Sequence, residues 1–385
     1  MDYSRIKVLV TDGGARQSLT LLHGLKDLDC HIAVLCSSKL DVCYASNIPH
    51  EKILLPHAAG SDADFEATLL ELLRKGDYDV LLPVAEMTTN KVTLHEDEYR
   101  QYTRLACAPR AAYIQAGDKQ LTFEHAANIG MPAPKTRRLG QTVDDFLSLV
   151  EFPLIIKPRT GMGSIGFHKF KRREDFYPYV EEHGIDLDKY VLQEFVKHEK
   201  RLGTILFVDR DGQVCMQYAD EVLRWYPLDA GTASLIRSID APQLLADSSR
   251  LLQAMQWQGV AALSFMVEEE TGTAKLLEIN GRIPASIKLS WQCGFNVAKL
   301  LVQMAMEEKV DAYPPNTVFG QCTRHFLAEI PWVFKSPDRF RSRPSWFSWK
   351  NTSDVVCWSG DPKPAMAYAV RKMVGYKESM NKRRH

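Results

Sequence analysis

Short apolar runs alternate with helical periodicities along the first hundred residues. Residues 6–10 form an apolar strand, followed by Thr11, Asp12, Gly13 and Gly14 and by a helical repeat through Leu19, Leu22 and Leu25. A second strand at 31–35, a helix at 65–74 and a third strand at 78–83 complete the pattern of a doubly wound α/β domain. The Gly13-Gly14 turn is a place to hold a phosphate at a helix N-terminus. It lacks GxGxxG spacing, and a tight turn is the preferred reading. Arg16 would face the cleft at the carboxyl ends of the strands.

Farther on, residues 111–130 read as one helix with Asp118 and Lys119 at its middle, stopped by Gly130, Pro132 and Pro134. Residues 152–158 are an apolar strand that carries Lys157, and an ammonium is costly to bury there without a partner. Gly161, Gly163, Ser164 and Gly166 follow, and then a strand at 167–170. A dinucleotide fingerprint must open a helix, so this loop between two strands is instead a flexible flap over phosphates or a plain hairpin loop. The flap is preferred. Strands are expected at 190–196, 203–208, 213–218 and 259–267, helices at 242–258 and 295–306, and irregular chain at 220–234.

The chemistry concentrates at residues 276–286. Leu276, Leu277 and Ile279 suit a buried strand, while Glu278 and Asn280 share one face because strand side chains repeat every two residues. A hard cation such as Mg²⁺ takes carboxylate and amide oxygens together with phosphates. Arg282 continues the spacing and would bind an oxyanion beside it. The plain alternative is a strand end whose polar groups satisfy loop backbone.

Composition narrows the class. The chain has 385 residues, 45% hydrophobic and 25% charged, with zero formal net charge. That size calls for two or three domains, and the neutral balance favours neither nucleic acid nor membrane. Eight cysteines without a CxxC pair, no signal-peptide pattern and no long apolar stretch are the expectations for a cytoplasmic protein with reduced thiols.

Taken in order, Asp118-Lys119, the strand lysine at Lys157, the glycine flap, the run Leu192 to Val196 and the run Leu276 to Arg282 resemble the ATP-grasp superfamily. The resemblance is to the branch of carbamoyl-phosphate synthase and the carboxylate–amine ligases, over roughly residues 111–307. It implies an α/β fold in four parts: a pre-ATP-grasp domain at 1–110, a lid subdomain at 111–190, a subdomain with the metal site at 191–315, and a basic, aromatic extension at 316–385. It also implies ATP and Mg²⁺, with Mn²⁺ as a substitute. Lys119 and Lys157 match the nucleotide-binding lysines, and Gly161, Gly163, Ser164 and Gly166 the phosphate loop. Gln193, Glu194, Phe195 and Val196 match the linker that holds adenine, and Glu199 is the nearest ribose-binding acid. Glu278 and Asn280 match the metal ligands, and Arg282 the arginine that steadies the transferred phosphoryl group.

Gly281 stands where the family usually has proline. Ser264 stands where it has an acidic or amide ligand, so Glu268 or water would have to serve a second metal. The implied reaction joins a carboxylate and an amine through an acyl phosphate. The alternatives are a kinase acting on a hydroxyl group and a nucleotide-binding protein with weakened catalysis.

Arg224, residues 229–233, Ser286 and Lys288 are candidates for contact with phosphates or acceptor, each weighed against an ordinary loop or packing role. From Pro331 onward basic residues interleave with Phe and Trp. Packing on the body of the protein is preferred for this tail over contact with a membrane surface, and a homodimer is the default assembly.

Overall fold

The computed structural model describes residues 2–55, 64–161, 166–228 and 231–382, without the side chains of Glu199 and residues 375–382. Among these, strands form three sheets. The first contains β1 (Lys7–Val10), β2 (His31–Cys36), β3 (Glu51–Leu54), β4 (Val80–Leu82) and β5 (Arg104–Leu105), all parallel in the order β3-β2-β1-β4-β5. Burial on both faces explains why β1, β2 and β4 read as unbroken apolar runs.

A three-stranded antiparallel sheet of β6 (Leu154–Pro158), β7 (His168–Phe170) and β8 (Tyr190–Glu194) forms the lid, with Phe146, Phe170 and Phe176 in its core. The third sheet has β9 (His198–Val208), β10 (Val214–Tyr226), β11 (Thr232–Ile239), β12 (Gly259–Glu268), β13 (Ala274–Asn280), β14 (Cys322–Arg324) and β15 (Thr352–Asp354), in the order β13-β12-β9-β10-β11-β14-β15. One face packs on the helices Pro242–Ala254, Arg110–Gly117 and Lys119–Asn128 through Leu206, Leu263, Phe265 and Ile279. The other face meets the helix Val297–Ala305, which also packs on Arg16–Lys26 of the first domain.

Two expectations change. The helix over 111–130 is two helices, because the Asp118 carboxylate caps the second by accepting from the amides of Gln120 and Leu121. Residues 220–234 are not irregular: β10 continues to Tyr226 and β11 begins at Thr232. Register shifts at Val222/Arg224 and Arg224/Trp225 break the two-residue period that would have revealed the strand.

The C-terminal extension adds β14 and β15 to the large sheet and lays the helix Phe326–Lys335 on β10 and β11. It is also bound to the first domain. Asp361 accepts from the Ser46 hydroxyl at 2.5 Å, and the Arg371 guanidinium meets Asp41 at 2.6 Å. Arg16 can only donate to His325 Nδ1, at 3.0 Å, so Nε2 carries the ring proton and donates to the Tyr368 hydroxyl at 2.8 Å. The extension therefore packs, as expected, with Trp332 buried and Arg324 over the Trp349 ring. Phe334, Phe340 and Phe347 are the most exposed of its large apolar side chains, at 80%, 82% and 77%, with Met366 and Met373 also exposed. No described helix is long and apolar enough to cross a membrane.

Candidate active site

The lid sheet faces the large sheet across a cleft, and the chemistry-bearing residues line both walls. On the lid side, Lys157 projects from β6, 9% exposed, with its ammonium 4.8 Å from the Phe123 ring centroid. It makes no hydrogen bond or ion pair with any described residue. Burial pulls its pKa down to about 8, Glu278 pushes it back up, and Lys119 lowers it further. A buried ammonium left unpaired is a site awaiting an anion. Lys119 opens the second helix of the capped pair and donates to the Gly161 carbonyl at 2.8 Å, at the root of the glycine loop. The Arg159 guanidinium holds Asp118 at 2.6 Å, which fixes that helix to the end of β6. Gly161 has φ +106° and Gly166 φ +76°, left-handed values that favour glycine. Gly163 and Ser164 lie outside the described residues.

On the opposite wall, Glu278 and Asn280 share a face of β13, and Asn280 Nδ2 donates to Glu278 Oε1 at 3.3 Å. Arg282 approaches Asn280 Oδ1 at 3.4 Å, the Ile283 carbonyl at 3.2 Å and Glu86 at 3.4 Å. A carboxylate and an amide oxygen, open to substrate oxygens, form a donor set that fits Mg²⁺. Asn280 must turn its amide oxygen to the position now held by Nδ2 to join it. No group of three His, Cys, Asp or Glu suited to a metal occurs among the described residues. Ser264 pairs directly with Glu278, so it occupies the strand position next to that candidate metal ligand. Glu268 does not: it accepts from Lys275 at 2.6 Å and from Thr271 at 2.6 Å, at the far end of β12.

Lys275 is a residue that sequence reasoning missed beside Glu194. It also holds the linker acid Glu194, at 2.8 Å. Gln193 is fully buried and donates to Thr136 at 2.8 Å, while Val196 is buried and Phe195 lies under the Lys169 ammonium, 3.2 Å from the ring centroid. Glu199 lies in β9, its side chain outside the described residues. Glu86, from the helix Glu86–Leu94 of the first domain, was likewise missed, since only the fold brings it to Arg282.

Other candidates lie elsewhere. Arg224 pairs across strands with Leu235, on the face opposite Asp220, Val222, Ile236 and Ser238. It is 1% exposed, donates to Glu329 at 3.0 Å, to the Ser342 hydroxyl at 3.0 Å and to the Pro344 carbonyl, and lies over the Trp332 ring. Its charge serves the packing of the extension and does not reach the cleft. Lys288 is buried and donates to the carbonyls of Asp354 and Cys357, and Ser286 accepts the amide of Leu289 in a turn. Arg16 faces His325. The Gly13-Gly14 turn is packed, since a side chain on Gly14 would collide with Arg371. Asp229 and Ala230 lie outside the described residues.

Comparisons with known proteins show what the chain and its fold are similar to. The family model described as "ATP-grasp in the biosynthetic pathway with Ter operon" matches residues 229–324. The carbamoyl phosphate synthase large chain of Methanobrevibacter smithii is 21% identical over 278 residues, 66% of this chain and 26% of that protein. The D-alanine–D-alanine ligase of Rickettsia africae is 27% identical over 174 residues, 40% of this chain and 51% of that protein. This chain thus spans about a quarter and about half of the two relatives. Among solved structures, the biotin carboxylase domain of Hydrogenobacter thermophilus 2-oxoglutarate carboxylase, in complex with MgADP, ADP and bicarbonate, superposes with a TM-score of 0.67 at 12% identity. That match covers 82% of this chain and 72% of the other.

Proposed function

From the premise that this chain belongs to the ATP-grasp superfamily, we propose that it joins a carboxylate to an amine at the expense of ATP, through an acyl phosphate. The observation that carries this reading is the unpaired ammonium of Lys157 facing the Glu278–Asn280 pair across the cleft. Together they offer positive charge and hard oxygen ligands to one polyphosphate.

In this reading Lys157 and Lys119 bind the phosphates from the lid side. Glu194, set by Lys275, and the backbone to Val196 hold the adenine. Glu278 and Asn280 would hold Mg²⁺, which would supply positive charge to the polyphosphate. Arg282, steadied by Glu86, stabilises charge on the transferred group. Phosphoryl transfer asks a protein for positioning and charge neutralisation more than for covalent chemistry, which is what these residues provide.

The test is ADP release from purified protein with MgATP and a matrix of carboxylates and amines, with hydroxylamine added to trap acyl phosphate as hydroxamate. ADP that requires a carboxylate, with hydroxamate formation, supports the reading. ADP from a hydroxyl compound alone, with a stable phosphorylated product, would replace it with a kinase.

A further inference from the structure

Seven Asp and Glu side chains are buried among the described residues: Asp41, Asp209, Asp220, Asp247, Glu329, Asp354 and Asp361. Six are satisfied. Asp41 and Glu329 meet arginines; Asp247 meets Arg250 and Gln243; Asp209 and Asp354 accept backbone amides; Asp361 accepts from Ser46. Asp220, 5% exposed in β10, has no hydrogen bond or ion pair with any described residue. Burial alone, with no neighbouring charge, raises its pKa to about 7. The side chain is buried but neither carboxylate oxygen is fully enclosed, and a carboxylate held there without a partner calls for a reason.

Its position supplies one. The strand register runs Glu278 to Ser264, Ser264 to Gly203 and Gly203 to Asp220; the last two pairs are regular, and the β12–β13 pairing is in step from Ala262–Asn280 to Ser264–Glu278 before it shifts between Ser264 and Phe265. Directly opposed residues share a face, so Asp220 looks onto the same surface as the candidate metal ligand. With strands about 4.8 Å apart, the two Cα atoms are roughly 14 Å apart. The positions between them are a serine and a glycine, which leaves a trough between two carboxylates. Both Asp220 carboxylate oxygens lie 2.9 Å from where a Cβ on Gly203 would sit. The carboxyl therefore lies over Gly203.

We propose that Asp220 binds the amine substrate, the trough over Gly203 and Ser264 being the acceptor subsite. The ligand class is a small molecule with an ammonium group, whose hydrogen bonds and charge complete Asp220. The inference rests on the ligase reading, which requires an amine beside the phosphates. On reaction the ammonium gives one proton to the Asp220 carboxylate, and the freed lone pair forms the C–N bond. The C–O bond to phosphate breaks, phosphate keeps that electron pair, and the second proton leaves with it.

The test uses the full chain, wild type and Asp220→Asn, loaded with a non-hydrolysable MgATP analogue. Titration calorimetry follows ammonium, ethanolamine and the common amino acids, each against a hydroxyl or methyl analogue. The expected result is saturable binding of at least one amine, its uncharged analogue failing, and a loss of about 30-fold in Asp220→Asn, the scale of a charge-assisted hydrogen bond. Affinity for the MgATP analogue stays unchanged. Equal amine binding by both proteins, or no amine binding to the wild type, overturns the assignment. Hydroxylamine, uncharged at neutral pH, separates the two readings. Hydroxamate formation by both proteins with no amine bound by either keeps the ligase and rejects the Asp220 site. Amine binding lost in Asp220→Asn, with no ADP from any carboxylate, keeps the site and rejects the ligase.

Discussion

The Lys157 ammonium and the Glu278 carboxylate act on each other across the cleft between the two sheets. Burial draws the lysine's pKa down from 10.5 to about 8, and Glu278 opposes that fall. In the nucleotide-free protein the folded state therefore holds fewer protons at Lys157 than the unfolded state between about pH 8 and 10.5. The cost of burying the ammonium is present below pH 8 and relieved as pH rises above it. Phosphates need the charged form, so MgATP affinity is expected to be flat below pH 8 and to fall above it. Lys157→Met should weaken binding by about 3 kcal/mol and remove that pH dependence. Glu278→Gln takes away the opposing charge and should move the inflection to lower pH. A wild-type profile in either variant would remove the pair from the nucleotide site.

Arg224 and Glu329 are expected to govern stability and not chemistry. Both side chains are fully buried, and Arg324 meets the same carboxylate at 2.8 Å. Glu329→Gln would leave two buried guanidinium groups without a counter-charge, a loss of about 3–5 kcal/mol. Thermal unfolding should show a large drop in Tm for Glu329→Gln and Arg224→Met, while turnover per folded molecule at low temperature stays near wild type. Loss of turnover without loss of Tm would return Arg224 to the reaction.

Residues whose role follows from their own strand were legible in the sequence; residues whose role comes from strand pairing were not. Lys157, Glu278 and Asn280 are polar exceptions in apolar strands, visible as such without a partner. Lys275 and Glu194 meet 81 residues apart, and Arg282 and Glu86 196 residues apart, through contacts no local period encodes. Asp220 fell in a stretch taken as irregular because bulges a few residues later disguise β10. Arg224 was drawn toward the phosphates because its counter-charge, Glu329, lies 105 residues downstream in an extension whose strands could not be foreseen to join the sheet.

Lys275 joins Glu194 of the linker to Glu268 of β12, and all three are largely buried. Lys275→Met should free Glu194, the acid that the proposed function places at the adenine. The expected effect is a rise in KM for ATP of about 10-fold, near 1.4 kcal/mol, with kcat little changed. Steady-state kinetics with ATP varied would settle it, since a fall in kcat at unchanged KM would place Lys275 in the chemical step.

Asp220 carries a stability cost that its proposed ligand would relieve. Its folded pKa, about 7, lies above the ordinary carboxyl value of 3.8. Between these values the folded protein holds more protons than the unfolded one. Stability from this group is therefore greatest below pH 4 and falls as pH rises to 7. The full shift corresponds to a ceiling on the order of 4 kcal/mol, reached above pH 7. Asp220→Asn removes the ionisation, so its Tm should exceed that of the wild type at pH 8 and approach it at pH 5. A bound amine should raise the wild-type Tm at pH 8 and leave the variant unmoved. Equal Tm for the two proteins at both pH values would mean that Asp220 is solvated or paired in the folded protein.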